Sequence, residues 1–391
     1  LDDVFPEGEY AHPNWRSFLE TSGLPLLEPG EELPVRVITV PKTLKTPRII
    51  AIEPTAMQFM QQGILELIEQ EIARDRLLTS FISWKHQEPN QLLAHLGSLN
   101  GLLATLDLSE ASDRVSNQLV RKMTSGYGII YDAIDACRSR KADVPGHGVI
   151  RLAKFASMGS ALTFPLESIV FITILFCGIE RALNTRLTKK LLMSFLGQVR
   201  VYGDDIIVPV EFVPYVYSEL ETFGFRVNAG KSFWTGRFRE SCGKEYYGGY
   251  DVSIVRCRSG LPTTRRDASE IVSTVSLRNR LFKAGYVKAV EYLDDEIKKL
   301  IPFPQVLETS PVLGRWNGEY DVHRYHKGLQ IPLVRGLVTV SKIPDSRLEG
   351  WAALHKFFLK RGDLPVFDRK HLERSGRPVS VDIKTRWAPP F

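Results

Sequence analysis

The sequence predicts an α+β fold organised on an antiparallel sheet. Strand-like runs meet at tight turns in residues 33–54 and 199–210, helical spacing fills 56–78 and dominates 262–300, and the middle of the chain reads strand, helix, helix, hairpin, helix, strand. Such a mixed order is the pattern of α+β proteins. A cut near residue 260 separates the mixed region from the helical one.

Taken in order, LPVRVITVPKTLKTPRIIAIEP at 33–54 holds two β-branched runs that alternate polar and apolar residues, joined by the basic, proline-bounded turn PKTLKTP. This is a hairpin with a cationic tip. Met57, Met60, Ile64, Leu67, Ile68 and Ile72 recur at helical spacing. LLATLDLS at 102–109 reads as a buried strand ending in polar residues, and a helix follows from Ser116 to Thr124. FASMGSALTF, from Phe155, is a Gly/Ser loop leading into an apolar helix that runs to about residue 183. In VRVYGDDIIVPV at 199–210, two strand runs flank Gly203 and Asp204, and a Gly-X pair there signals a type II′ turn. VPYVYSELETFGF is a helix stopped by Gly224, with a strand expected at 225–228. Helical patterns continue to Leu300, after which Pro and Gly break the regularity.

The 391 residues are 43% hydrophobic and 25% charged, a globular profile that excludes disordered, collagenous and fibrous chains. The length suits two or three domains or one multi-lobed enzyme. Four scattered cysteines form neither a disulfide framework nor a zinc knuckle, which fits a reducing compartment. The longest apolar run, Ile169–Ile179, falls far short of the ~20 residues that cross a bilayer, so a buried helix and no membrane span is expected. Nothing after Leu1 resembles a basic region followed by an apolar stretch, so no secretory signal is expected. The formal charge is +6, and from Lys356 to Phe391 nine Lys or Arg stand against four Asp or Glu. That tail is either a solvated face or a surface for a polyanion.

Chemistry is signalled most clearly by Asp204 and Asp205 at the hairpin tip. Two carboxylates about 4 Å apart repel by up to ~4 kcal/mol at an effective dielectric near 20, so their closeness calls for a cation. Mg²⁺, a hard ion that prefers carboxylate and phosphate oxygens, suits them. Most Gly-Asp-Asp tripeptides are solvated turns, but apolar strands on both sides mark this one as the tip of a buried hairpin. Asp107 ends another apolar strand, and Asp113 lies six residues on. Alone, such an aspartate reads as a helix cap or strand terminus. With the hairpin beside it, three carboxylates on two strands could hold two metals ~3.5–4 Å apart for in-line attack of a 3′-hydroxyl on an α-phosphate.

ATLDLSEASDRVS resembles palm motif A of RNA-directed RNA polymerases, FASMGSALTFPLES motif B, VYGDDIIV motif C and the stretch through Gly230 and Lys231 motif D. With TVPKTLKTPRIIAIEP before them and FRESCGKEYYGGYDV after them, residues 35–260 are most similar to the replicase β subunits of levivirus-like single-stranded RNA phages. The resemblance implies a right-hand polymerase. It would have partial fingers at 1–97 with a basic motif F hairpin, a palm at 98–260 with finger elements inserted, and a mostly helical thumb with a basic extension at 261–391.

The resemblance also implies roles. Asp107, Asp204 and Asp205 would hold two Mg²⁺ ions, with Mn²⁺ as a substitute, and Asp113 would sense the ribose 2′-OH, which a carboxylate can accept. Ser157, Gly159 and Thr163 would form a loop whose small residues let backbone approach nucleotide and template. At Glu167 the sequence departs from many viral polymerases, which place Asn there. Lys42, Lys45 and Arg48 would neutralise the entering triphosphate, Lys231 would act as general acid for pyrophosphate, and Lys244 would face the nascent RNA or primer end. Implied partners are template and nascent RNA, ribonucleoside triphosphates, host elongation factors Tu and Ts and a ribosomal small-subunit protein, in the cytoplasm of an infected bacterium.

GFRVNAGKS at 224–232 is not a P-loop: five residues separate its glycines where four are needed, and no helix pattern follows. His323 and His326 lack a Cys or acidic partner at ligand spacing and read as surface residues. Two rival functions fit the same motifs. A reverse transcriptase shares the Tyr-x-Asp-Asp hairpin of Tyr202–Asp205, but Asp113 suits a 2′-OH rather than its exclusion. A catalytically silent RNA-binding protein would keep buried carboxylates at an energetic cost without return.

Overall fold

The computed structural model describes residues 31–41, 47–341 and 381–391. The chain forms two compact units and passes from the first to the second between Ile254 and Val255.

In the first unit, β1 (Val35–Pro41) and β2 (Pro47–Ile52) form the expected antiparallel hairpin, with Val40 opposite Arg48. Helix α1 (Thr55–Arg74) stops where the Asp75 side chain accepts from the backbone N–H of Leu77 and Leu78, starting α2 (Arg76–Phe81). The one long helix expected at 56–78 is therefore two. Helix α3 (Glu88–Asn100) ends at Gly101, left-handed at φ 76°, and turns directly into β3 (Leu103–Leu106), which is buried throughout. Two short helices follow, α4 (Ala111–Arg114) and α5 (Asn117–Thr124), the second capped by Ser116, and then α6 (Gly128–Ala136).

Next comes an unexpected hairpin, β4 (Lys141–Val144) and β5 (Gly148–Arg151). Strand β4 pairs in parallel with β1, giving a four-stranded sheet in the order β2-β1-β4-β5. The apolar helix α7 (Thr163–Leu183) runs through the main core, with Phe171 edge-on to Phe225 at 5.0 Å. After α8 (Lys189–Ser194), strands β6 (Arg200–Tyr202) and β7 (Asp205–Pro209) make the expected tight hairpin. Gly203 has φ 59° while Asp204 is not among the positive-φ residues, as a type II′ turn requires. Strand β7 also pairs with β3, so it is the centre of a three-stranded sheet, β3-β7-β6.

Helix α9 (Val213–Thr222) packs on α7 and is followed by Gly224 at φ 86°. Residues 225–228 are not a strand; they reduce to one bridge, between Leu108 and Val227, because Asn228 turns toward Asp107. Strands β8 (Phe238–Ser241), β9 (Lys244–Tyr247) and β10 (Tyr250–Asp251) complete the unit. The buried Arg239 on β8 donates to the carbonyls of Leu103 and Gly236, tying β8 to β3.

In the second unit, helices α10 (Ala268–Lys283) and α11 (Val287–Leu300) pack together as the spacing predicts. Among its described residues, however, strands stand beside these two helices. Strands β11 (Arg324–Tyr325), β12 (Pro332–Ser341) and β13 (Val381–Ala388) form an antiparallel sheet, and Leu337 buries its side chain with Ile271, Leu293 and Ile297. His323 and His326 are exposed, and the Nδ1 of each accepts a backbone N–H, from Arg335 and from Gly328. No described helix is long and apolar enough to cross a membrane.

Candidate active site

Strand pairing builds the site. Leu106 of β3 lies opposite Ile206 of β7, so Asp107, one residue beyond Leu106, and Asp205, one before Ile206, come next on the two strands. Asp204 occupies the adjoining turn. That turn is set by sterics as well as by φ: a Cβ on Gly203 would lie 2.1 Å from Cε2 of Phe164, whose ring stands edge-on to Tyr202 at 5.1 Å. The Gly203 N–H donates to Ser168 Oγ at 3.1 Å, which fastens the hairpin tip to α7.

Each strand-end carboxylate is held by polar neighbours. Asp107 Oδ2 accepts from Asn228 Nδ2 at 3.0 Å, its carbonyl accepts the Asn228 N–H at 2.9 Å, and its own N–H donates to Ser232 Oγ at 3.0 Å. Asp205 Oδ1 accepts from Ser241 Oγ at 3.2 Å and from the Cys242 N–H at 3.1 Å. Burial, with Asp204 and Glu240 nearby, pushes the Asp205 carboxyl up to about 6 against the pull of those two donors. Among the described residues no three His, Cys, Asp or Glu side chains form a ready-made metal cluster. The strands bring the aspartates together at one end of the sheet, but as a set of neighbours rather than a closed cage. Like charges turn to the donors at hand.

Does this set suit a divalent cation? Its donors are hard carboxylate oxygens, and both bonds to Asp205 fall on Oδ1. Hard oxygen donors are of the kind that Mg²⁺ takes.

The other expected residues fall as follows. Asp113 is exposed on α4 and ion-paired with Lys154 at 2.6 Å. Glu167, on α7, is 5% exposed, and its Oε2 has no hydrogen-bond partner. Burial first, then the facing Asp204 and Asp113, push its carboxyl up to about 9. The Ser157 carbonyl accepts from Thr163 Oγ1 at 2.8 Å, closing the loop before α7. Gly159 has φ 127°, and a Cβ there would lie 1.9 Å from the Ala51 carbonyl oxygen. The small residue thus lets this loop close on β2, where the Ala51 N–H donates to the Met158 carbonyl at 2.7 Å. Lys231 is exposed on a turn whose ends, Asn228 and Ser232, both bond Asp107. No helix follows it, in keeping with the rejected P-loop. Lys244 pairs with Asp251 at 2.7 Å. Arg48 is exposed on β2, whereas Lys42 and Lys45 lie outside the described residues.

Sequence reasoning missed Lys154, Asn228, Ser232, Ser241 and Cys242 as supports of the aspartates. The last four sit inside segments quoted above for other reasons.

The family model for RNA replicase, beta-chain, matches residues 33–272. This chain belongs to the RNA replicase β-chain family. The RNA-directed RNA polymerase subunit beta of Escherichia virus Qbeta is 40% identical to this chain over 219 residues, covering 56% of it and 34% of the relative. The RNA-directed RNA polymerase beta chain of Enterobacteria phage fr is 39% identical over 254 residues, covering 65% and 42%. The matches thus span less than half the length of these relatives. Among solved structures, an RNA-dependent RNA polymerase of a human picobirnavirus overlaps this chain with a TM-score of 0.46 and 12% identity, over 68% of this chain and 57% of its own.

Proposed function

We propose that this chain synthesises RNA on an RNA template from ribonucleoside triphosphates. The observation that carries the reading is the register of β3 on β7, which sets Asp107 and Asp205 at neighbouring strand ends beside Asp204 in the turn. In this reading Asp107, Asp204 and Asp205 hold two Mg²⁺ ions. When bound, such ions make a 3′-hydroxyl more acidic and stabilise the charge that develops on the departing pyrophosphate.

The protein's own groups set the geometry. Asn228 holds the Asp107 carboxylate and Ser232 its backbone N–H, while Ser241 and the Cys242 N–H hold the Asp205 carboxylate, so both carboxylates are oriented before the reaction. Asp113 accepts the ribose 2′-OH. Lys231, on the turn anchored to Asp107, gives a proton to pyrophosphate, while Lys42, Lys45 and Arg48 neutralise the triphosphate. Lys244 exchanges its Asp251 partner for RNA phosphate. The first unit supplies the palm with fingers elements and the second supplies the thumb. Elongation factors Tu and Ts and a ribosomal small-subunit protein, in the cytoplasm of an infected bacterium, complete the proposal.

Asp204→Ala tests it. Extension of a primed RNA template should be abolished while RNA binding, measured by filter retention, stays intact; unchanged synthesis would end the metal assignment.

A further inference from the structure

We propose that Lys154 is a positioning residue for ribose recognition: it holds Asp113 by one carboxylate oxygen and so presents the other to the 2′-hydroxyl of the incoming nucleotide. The inference rests on the polymerase reading above.

Asp113 needs such a hold. It lies on α4, a helix of four residues, and its side chain is 53% exposed. The charges of Asp113 and Asp204 both act on the buried Glu167, so the surroundings of Asp113 are acidic. Among the described residues Lys154 is the hydrogen-bond partner of the carboxylate, with Nζ 2.6 Å from Oδ1. That bond leaves Oδ2 for a hydroxyl donor.

Lys154 is itself held from two directions, unlike an ordinary surface lysine. On one side its segment pairs with the chain just past Asp113. The Phe155 N–H donates to the Val115 carbonyl at 2.7 Å and the Asn117 N–H to the Ala153 carbonyl at 3.2 Å. On the other, the buried Arg138 guanidinium donates to the carbonyls of Leu152 at 3.0 Å, Lys154 at 3.0 Å and Phe155 at 2.8 Å. No carboxylate shares that guanidinium's hydrogen bonds in the described residues, so it acts as a clamp on this stretch of backbone. The stem of Lys154 is mostly covered, its side chain being 24% exposed. Partly exposed ion pairs add little to stability. The contribution of this pair is therefore direction: it turns a mobile carboxylate on a short helix into one with a fixed orientation.

The test compares kcat/KM for GTP and dGTP with the full chain on one primed RNA template. Lys154→Met should lower the GTP-to-dGTP ratio by about tenfold, the scale of one charge-assisted hydrogen bond, and Lys154→Arg should restore most of it. In an Asp113→Ala background, which has already lost the ratio, Lys154→Met should change it no further. A Lys154→Met chain that keeps the wild-type ratio, when Asp113→Ala loses it, overturns the role of Lys154 alone. If Asp113→Ala also keeps the ratio, the ribose role of Asp113 fails and this inference falls with it. A wild-type chain that incorporates neither nucleotide refutes the polymerase reading itself.

Discussion

Glu167→Gln should stabilise the metal-free protein, and by an amount that depends on pH. Glu167 is 5% exposed with an unbonded Oε2, and burial together with Asp204 and Asp113 pushes its carboxyl from 4.5 up to about 9. The folded state therefore keeps this side chain neutral at pH 7, whereas the unfolded chain ionises it. A carboxyl raised in this way destabilises the fold nowhere below about pH 4.5, increasingly between there and about pH 9, and by a constant amount above. At pH 7 the cost is at most about 3.4 kcal/mol, taking ~1.36 kcal/mol per pH unit. An amide of the same shape has no proton to lose, so the variant should gain about 1–3 kcal/mol at pH 7 and less than about 1 kcal/mol at pH 5. Urea unfolding of wild type and variant in EDTA, at half-unit steps from pH 5 to 8, measures the difference directly. A difference that is flat across that range would refute the reasoning.

Two further substitutions test how the site is supported. Gly159→Ala forces a Cβ to within 1.9 Å of the Ala51 carbonyl at a backbone angle, φ 127°, that suits only glycine. It should destabilise the first unit by more than about 3 kcal/mol, visible as a lower thermal midpoint. Asn228→Ala removes the side-chain donor to Asp107 Oδ2. Template-directed extension should fall about tenfold or more with RNA binding preserved, and an unchanged rate would show that Asp107 needs no such hold.

What could be read in advance was whatever depends on neighbours in the chain. The β6–β7 hairpin was legible because apolar residues flank a Gly whose φ the turn requires, and α7 because twenty-one consecutive residues are predominantly apolar. Strands β4 and β5 were not, being four residues each, with β5 exposed throughout and therefore without alternation. The β12–β13 pairing joins segments separated by the long stretch 342–380, which no local pattern can bridge. At the site, the aspartates were found because apolar strands end in them. Their supports were not, since Asn228 meets Asp107 across 121 residues and Ser241 meets Asp205 across 36. Gly159 was identified for its size, but the group that approaches it is the backbone of β2.

The parallel pairing of β1 with β4 bears on how the protein is made. Val35 and Arg36 find their partners at Ala142 and Asp143, more than a hundred residues later. During synthesis the β1–β2 hairpin leaves the ribosome before the residues of β4 that pair with its β1 edge have emerged. Such a wait favours slow, late closure and gives a chaperone or a passing strand time to bind the open edge first.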